Sequence, residues 1–338
     1  MGYRIAVLGA TGTVGRLILD ILAERNFPVD SLFALDSGRL PRRQVSFGDD
    51  SILSVEPANS FDFSKVDFVF ASPGAAASQI YGEKAIQAGA IYIDNSSAFR
   101  MNSAVPLIVP EVNGEALSQY KKKNLISSPN CIAIPLTIAL HPLRQITPIK
   151  RVVLSTYQSI SGAGQRASSE LMTQTKQSLM GAPITIEESP RQIAFNVFPH
   201  IGSFDQNGQT GEETKIIQET QKILDAKIKV AVTSVRVPTF IGHALSVAVE
   251  FEQPLTPAQA RTALRQSNAV QVIDDPEEEQ YITPLECVGE DAVFVSRIRK
   301  DPSSETGLLL WIVTDNLRKG AALNMIQIAE KLLSISQK

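Results

Sequence analysis

Ile5-Ala6-Val7-Leu8-Gly9-Ala10-Thr11-Gly12-Thr13-Val14-Gly15 stands at the start of the chain and decides how the first half folds. Four consecutive apolar residues read as a strand buried on both faces, and a glycine-rich turn follows at once. Past the turn, Val14, Leu17, Ile18, Ile21 and Leu22 recur at steps of three and one, which is one face of a helix. Strand, tight turn and helix make the opening of a βαβ unit. Glycines there let backbone N–H groups approach a pyrophosphate at the helix N-terminus, where the peptide dipoles favour negative charge. The spacing is G-x-x-G-x-x-G rather than the commoner G-x-G-x-x-G, so its place between strand and helix carries the reading of a dinucleotide site.

Working outward, short apolar runs at 31–35, 67–71 and 90–94 read as further strands, with a helix over 83–88 between the last two. Right-handed crossovers lay such strands in one parallel sheet. From about residue 151 the texture changes. Runs at 151–157, 230–238, 245–252, 292–299 and 308–314 are β-branched and alternating, without a helix between each pair. They predict a mixed or antiparallel sheet in a second, α+β domain. Residues 321–333 are helical by their apolar spacing, and periodicity does not say which domain they join.

A length of 338 residues suits two domains. With 32 Lys plus Arg against 35 Asp plus Glu, the net charge is −3, which excludes a strongly basic nucleic-acid binder. No apolar run approaches the ~20 residues that span a bilayer, and no signal peptide is read at the N-terminus. Two cysteines make no disulfide framework. The expectation is a cytoplasmic protein with a small-molecule substrate, no nucleic-acid or membrane partner and no metal.

Cys131 follows the polar turn Ser127-Ser128-Pro129-Asn130 and precedes an apolar helical run over 132–143. A thiol at a helix N-terminus has its thiolate favoured by the dipole. Cys287, inside Leu285-Glu286-Cys287-Val288, reads as an inert buried thiol. A nucleophilic thiol wants a proton partner, and the histidines are His141, His200 and His243. His141 falls near a helix end and His200 in a loop. His243 closes Arg236-Val237-Pro238-Thr239-Phe240-Ile241-Gly242-His243, read as a loop between two strands, where functional groups concentrate. On the cofactor, Asp36 lies where an acid meets the ribose 2′-hydroxyl of NAD. Arg39, Arg42 and Arg43 follow at once and suit the 2′-phosphate of NADP. The residues alone leave both open.

Eight motifs in order carry a resemblance over the whole chain. They are residues 9–15, Asp94-Asn95-Ser96-Ser97-Ala98-Phe99-Arg100, Val109-Pro110-Glu111-Val112-Asn113, Ser128-Pro129-Asn130-Cys131, Tyr157-Gln158-Ser159-Ile160-Ser161-Gly162-Ala163-Gly164, Glu212-Glu213-Thr214-Lys215, residues 236–243, and Asp315-Asn316-Leu317-Arg318-Lys319-Gly320-Ala321-Ala322. With them the chain resembles the aspartate-semialdehyde dehydrogenases. The resemblance implies a Rossmann-type dinucleotide domain over 1–127, rejoined by 316–338, and an α+β catalytic and dimerisation domain over 128–315, as in glyceraldehyde-3-phosphate dehydrogenase. It implies reversible, NADP-dependent reduction of aspartyl phosphate to aspartate semialdehyde and phosphate through a Cys131 thioester, in a homodimer or homotetramer.

By the same resemblance His243 is the acid/base group and Gln158 orients the acyl group. Arg236 clamps the α-carboxylate, Glu212 meets the α-ammonium, Arg100 and Lys215 hold phosphate, and Asn130 lines the substrate site. Gly9, Thr11, Gly12, Thr13, Val14, Ser37, Arg39, Ser161, Gly162 and Asn316 would bind the cofactor. Bland readings stand beside some of these. Glu212 and Lys215 are spaced as a surface helix pair, and Arg100 could cap a helix. The family's segment after the second strand runs roughly Ala-Ser-x-Arg-Ser-x-Gly. Here Asp36, Leu40 and Arg42 depart from it, which leaves NAD beside NADP. Two rival readings are a catalytically silent dinucleotide-binding paralogue and an N-acetyl-γ-glutamyl-phosphate reductase. The latter's acylated substrate would leave Glu212 without an ammonium to meet.

Overall fold

The computed structural model describes residues 2–37, 44–49 and 51–336. The chain forms two compact units, Met1–Asn130 with Ala321–Lys338, and Cys131–Gly320.

In the first unit, β1 (Tyr3–Leu8) leads into α1 (Thr13–Glu24) and β2 (Val29–Asp36). Then come β3 (Gln44–Phe47), β4 (Ser51–Pro57), β5 (Phe68–Ala71), α2 (Ala75–Gln87), β6 (Ile91–Asp94), α3 (Pro110–Asn113) and β7 (Leu125–Ser127). The sheet order is β3-β4-β2-β1-β5-β6-β7, parallel except for the β3–β4 pair. The glycine-rich turn therefore leaves the C-terminal end of a central strand, where doubly wound sheets bind their ligands. One face is covered by α1 and by α8 (Leu323–Ser336), whose Leu323, Met325, Ile326, Ile328, Ala329 and Leu332 share a core with Ile18, Leu22, Ile5, Val7 and Phe70. Each large apolar side chain buried there contributes about 1.5–3 kcal/mol. That burial is what docks α8 in this unit.

Two expectations need correction here. The helix read at 83–88 begins at Ala75, because Gly74 turns the chain and a run of small residues follows. Strands β3, β4 and β7 were not read at all. β4 is largely exposed and β7 has three residues, so neither carries an apolar run.

The second unit holds α4 (Ala133–Arg144), β8 (Ile149–Gln158), α5 (Gln165–Leu179), α6 (Gly211–Ile223) and β9 (Lys229–Arg236). It continues with β10 (His243–Phe251), α7 (Pro257–Arg265), β11 (Val270–Val272), β12 (Val293–Lys300) and β13 (Gly307–Thr314). The sheet is mixed, in the order β11-β12-β13-β10-β8-β9, with β8–β9 and β11–β12 parallel and the other pairs antiparallel. The expectation of strands without intervening helices fails twice. α5 and α6 separate β8 from β9, and α7 separates β10 from β11. These helices are polar, and in α6 and α7 the signal lies in caps rather than in apolar spacing. Thr210 with Glu213, and Thr256 with Gln259, close reciprocal capping boxes. Along β8, Val152, Leu154, Thr156 and Gln158 face inward and are buried, while Val153, Ser155 and Tyr157 face out. On the outer face the Tyr157 and Trp311 rings lie 5.4 Å apart.

Candidate active site

Strand register assembles much of the site in the second unit. His243 is paired with Thr314 of β13 on one side and Gln158 of β8 on the other, and Gln158 is paired with Arg236 of β9. Directly paired residues point to the same face of a sheet. Thr314, His243, Gln158 and Arg236 thus form one row at the inner face, all with 6% exposure or less. This corrects the loop expected for His243. It opens β10, because antiparallel pairing with β8 and β13 runs to that residue, and the preceding loop ends at Gly242.

Cys131 is half-buried and stands one residue before Ile132, the N-cap of α4, whose first turn has no side-chain cap. The helix dipole favours a thiolate there. Gly320 lies against it. A Cβ built on Gly320 would sit 3.2 Å from the Cys131 Cβ, so the turn passes the cysteine closely and a side chain there would fit only if its neighbour gave by a few tenths of an ångström. The Asp315 carboxylate fixes that turn by accepting from the backbone N–H groups of Leu317 and Arg318, each at 2.9 Å.

Arg236 Nη1 donates to the Ser159 carbonyl at 2.7 Å. Burial pushes the guanidinium's pKa down, and the nearby charges of Glu212 and Cys131 oppose that shift. Cation, carboxylate and thiol therefore belong to one electrostatic cluster. Glu212, almost buried in the first turn of α6, pairs with Lys215 at 3.5 Å. The two do pair across one turn of the helix, but Glu212 is buried and only Lys215 is partly exposed. Gln158 Nε2 donates to Thr156 Oγ1 at 3.2 Å.

His243 is fully buried, and its pKa is pushed down to about 3 by burial first and then by Arg236. The Ser159 backbone N–H donates to Nδ1 at 3.1 Å, with the Ser159 hydroxyl also 3.1 Å away. Nε2 is buried and has no hydrogen-bond partner. Leaving such an atom unsatisfied costs about 1–3 kcal/mol, so the site is shaped for something that bonds to it. A Cβ on Gly162 would lie 3.5 Å from both His243 Nε2 and Arg236 Nη1. Asn316, expected at the cofactor, braces this region. Its Oδ1 accepts from the Gly242 N–H at 2.9 Å and the Ser159 hydroxyl at 3.2 Å, and its Nδ2 donates to Ser161 Oγ at 3.0 Å. Ser159, Thr314 and Gly320 were not singled out from sequence, although Ser159 and Gly320 lie within quoted motifs. Of the other thiol and imidazoles, Cys287 is buried and pushed up to about 12, with its S–H on the Pro284 carbonyl. His141 lies in the last turn of α4, and His200 stacks on Phe204.

The first unit carries the remaining residues. Arg100 is buried, with Nε on the Ser128 carbonyl at 3.0 Å and Nη2 on that of Asn95 at 2.6 Å, so it braces the backbone ahead of Asn130, itself buried. In the glycine-rich turn Gly9 has φ +83°, and a Cβ on Gly15 would fall 2.1 Å from the Gly9 carbonyl oxygen. The turn consequently folds tightly onto α1, whose cap is Gly12 and whose first residues are Thr13 and Val14. No side chain caps that helix. The donors and the cradle fit a pyrophosphate. Asp36, at the end of β2, accepts from the Thr11 hydroxyl and, at 2.6 Å, from the Ser37 N–H. Arg39, Leu40, Arg42 and Arg43 lie outside the described residues. Among the described residues no group of three or more His, Cys, Asp or Glu is arranged to hold a metal, and no helix is long and apolar enough to cross a membrane.

Fold and site together define a two-domain, dinucleotide-binding oxidoreductase. Residues 4–120 match the family model of the semialdehyde dehydrogenase NAD-binding domain, and 140–319 that of the semialdehyde dehydrogenase dimerisation domain. The aspartate-semialdehyde dehydrogenase of Rickettsia bellii is 48% identical over 98% of both chains. A crystal structure of aspartate semialdehyde dehydrogenase II from Vibrio cholerae superposes with a TM-score of 0.96 at 41% identity, covering 99% of each chain. The same Vibrio enzyme, complexed with ASA, matches at 40% identity with the same TM-score. The chain belongs to the aspartate-semialdehyde dehydrogenase family.

Proposed function

We propose that this protein catalyses the reversible, NADP-dependent conversion of L-aspartyl 4-phosphate to L-aspartate 4-semialdehyde and phosphate, within the biosynthesis of lysine, threonine, methionine and isoleucine. The observation that carries the proposal is the cluster of Cys131, Arg236 and Glu212, with His243 in the same register row as Arg236.

Cys131 acts as a thiolate. It attacks the acyl carbon of the phosphorylated substrate, the C–O bond to phosphate breaks, and a thioester remains on sulfur. When bound, the dinucleotide supplies the hydride that reduces the acyl group, or accepts it in reverse. Arg236 clamps the α-carboxylate with its planar fork, a task for which lysine lacks the geometry. Glu212 meets the α-ammonium, Gln158 orients the acyl group and Asn130 lines the site. Arg100 and Lys215 serve the phosphate. The turn 9–15 and Ser37 hold the dinucleotide, with Arg39 and the segment of Ser161, Gly162 and Asn316 completing the set. NADP is the preferred cofactor, and Asp36 allows NAD as a second one. The outward-facing Tyr157 and Trp311, in a chain with a dimerisation domain, support a homodimer through that face of the sheet.

The test mixes purified protein with aspartate semialdehyde and phosphate, with NADP in one cuvette and NAD in another. Phosphate-dependent growth of the reduced-nicotinamide absorbance, faster with NADP and lost in Cys131→Ala, is expected. Folded protein that binds dinucleotide yet shows no growth would point to a silent paralogue. Growth only with an N-acylated semialdehyde would move Glu212 out of the proposed role.

A further inference from the structure

We propose that Asn207-Gly208 is a site of spontaneous covalent modification, at which the side-chain amide converts to aspartyl and isoaspartyl forms, and that the isoaspartyl form loosens the start of α6. Its effect on turnover rests on the proposed role of Glu212.

The chain holds two Asn-Gly pairs, Asn113-Gly114 and Asn207-Gly208. Glycine has no Cβ to shield its backbone nitrogen, so by residue type the two are equally reactive. The fold separates them. Asn113 closes α3 with its side-chain amide held at both ends: Oδ1 accepts from the Val109 N–H and Nδ2 donates to the Leu107 carbonyl, each at 2.9 Å. Gly114 beside it is buried. Asn207 and Gly208 are both exposed, and among the described residues the Asn207 side chain has no hydrogen-bond partner. Gly208 has φ +80°, and a Cβ built on it would meet nothing within 4 Å. Its N–H is held by the Asp205 carbonyl alone, at 3.2 Å.

The reaction needs only water. The Gly208 nitrogen gives up its proton to solvent base and attacks Cγ of Asn207. The N–Cγ bond forms, the Cγ–Nδ2 bond breaks, and ammonia leaves with a proton from solvent. The product is a five-membered succinimide. Water then adds to one of its two carbonyl carbons, and the ring bond from that carbon to nitrogen breaks. Opening at Cγ gives aspartate in an ordinary main chain. Opening at the main-chain carbonyl carbon leaves the chain running through the former side chain, one methylene longer, with a free α-carboxylate.

That methylene falls in a turn that sets the entry to α6. Residues 206–208 connect Asp205 to Gln209, whose carbonyl accepts from the Asp205 N–H at 2.8 Å. The Asp205 carboxylate accepts in turn from the N–H groups of Asn207, at 2.8 Å, and Gln209, at 2.9 Å. Next along the chain, Phe204 bridges Thr210, the residue whose capping box with Glu213 starts the helix. The Gly211 N–H donates to the Ser203 carbonyl at 2.8 Å, and Glu212 follows in the first turn. A lengthened connection cannot keep both the Asp205–Gln209 pairing and the Phe204–Thr210 bridge, so the strain passes to the cap and to Glu212.

The test ages full-length protein in mildly alkaline buffer, folded in one series and unfolded in concentrated guanidinium chloride in the other, and follows both Asn-Gly peptides by mass spectrometry. In the folded series the Asn207 peptide should gain the amide-to-acid mass at least about tenfold faster than the Asn113 peptide, whose two hydrogen bonds must open first. In the unfolded series the two should convert at similar rates. Equal rates in the folded protein, or faster conversion at Asn113, would overturn the site. Enzymatic methylation of isoaspartyl carboxylates should label the Asn207 peptide, and no label on converted peptide would overturn the isoaspartyl product. As that label accumulates, KM for semialdehyde should rise at least about threefold at steady kcat, the mark of lost substrate binding. Asn207→Ser, which has no γ-carbonyl, should keep its starting KM through the same incubation, and fresh Asn207→Asp, with an ordinary main chain, should match wild type. An unchanged KM in labelled wild type, or an equal rise in Asn207→Ser, would overturn the link to α6. Fresh wild type without phosphate-dependent turnover would refute the parent reading instead, and the mass measurements would stand apart from it.

Discussion

Arg236→Lys keeps the charge and removes the fork. Arg236 is 6% exposed, and one of its terminal nitrogens is committed to the Ser159 carbonyl at 2.7 Å. A lysine ammonium presents one nitrogen at the end of a flexible stem. It can hold that carbonyl or the substrate carboxylate, but it lacks the planar geometry to do both. One charge-assisted hydrogen bond in a buried site is lost, about 1.5–3 kcal/mol. At about 1.4 kcal/mol per decade, that is a fall of about 10- to 150-fold in kcat/KM. If the ammonium keeps Ser159, the carboxylate contact goes and KM rises at steady kcat. If it takes the carboxylate, the Ser159 peptide loosens from His243 and kcat falls as well. Initial rates against semialdehyde, at saturating phosphate and cofactor, separate the two outcomes, and thermal unfolding verifies that the variant is folded. A kcat/KM within about threefold of wild type would show that the fork touches no substrate and would remove Arg236 from the binding site.

Two further outcomes can be measured. Gly15→Ala drives a Cβ to 2.1 Å from the Gly9 carbonyl oxygen, so the turn and α1 must part, and dinucleotide affinity by titration calorimetry should drop at least about tenfold; retained affinity would refute the cradle. Stability should also carry the mark of His243. Its folded pKa of about 3 lies below the ordinary 6.5, so between those values the unfolded chain binds a proton that the folded chain does not. This group imposes little penalty well above pH 6.5, and up to about 1.4 kcal/mol is lost per pH unit as pH falls from there toward 3. Urea unfolding at about pH 7 and about pH 5 should therefore show a smaller loss for His243→Gln than for wild type. Identical losses would mean that the imidazole is not held neutral.

Much of the first unit was legible because its signals are local. A buried apolar run, a glycine-rich turn and a helical stripe follow one another within about twenty residues. β4 and β7 escaped for the opposite reason. One is mostly exposed and the other is three residues long, so neighbouring strands rather than composition make them strands. In the second unit the polar helices α5, α6 and α7 escaped a reading built on apolar periodicity, although two of them announce themselves by capping boxes. The loop assigned to His243 failed because pairing with Gln158 and Thr314, far along the chain, extends β10 to that residue.

Residue order alone specifies which chemistry the chain carries: a glycine-rich turn between strand and helix, one cysteine set ahead of a helix, and the Arg, Glu and His of its ordered motifs. These are properties of residue type and short spacing, governed by backbone sterics and helix dipoles. Only the tertiary structure decided how they meet. Long-range strand register put Arg236, Gln158 and His243 in one row, and burial stripped their water. A peptide N–H, Ser159's, came to face Nδ1 of His243. Register and burial arise from contacts between residues many tens of positions apart. No local pattern encodes them.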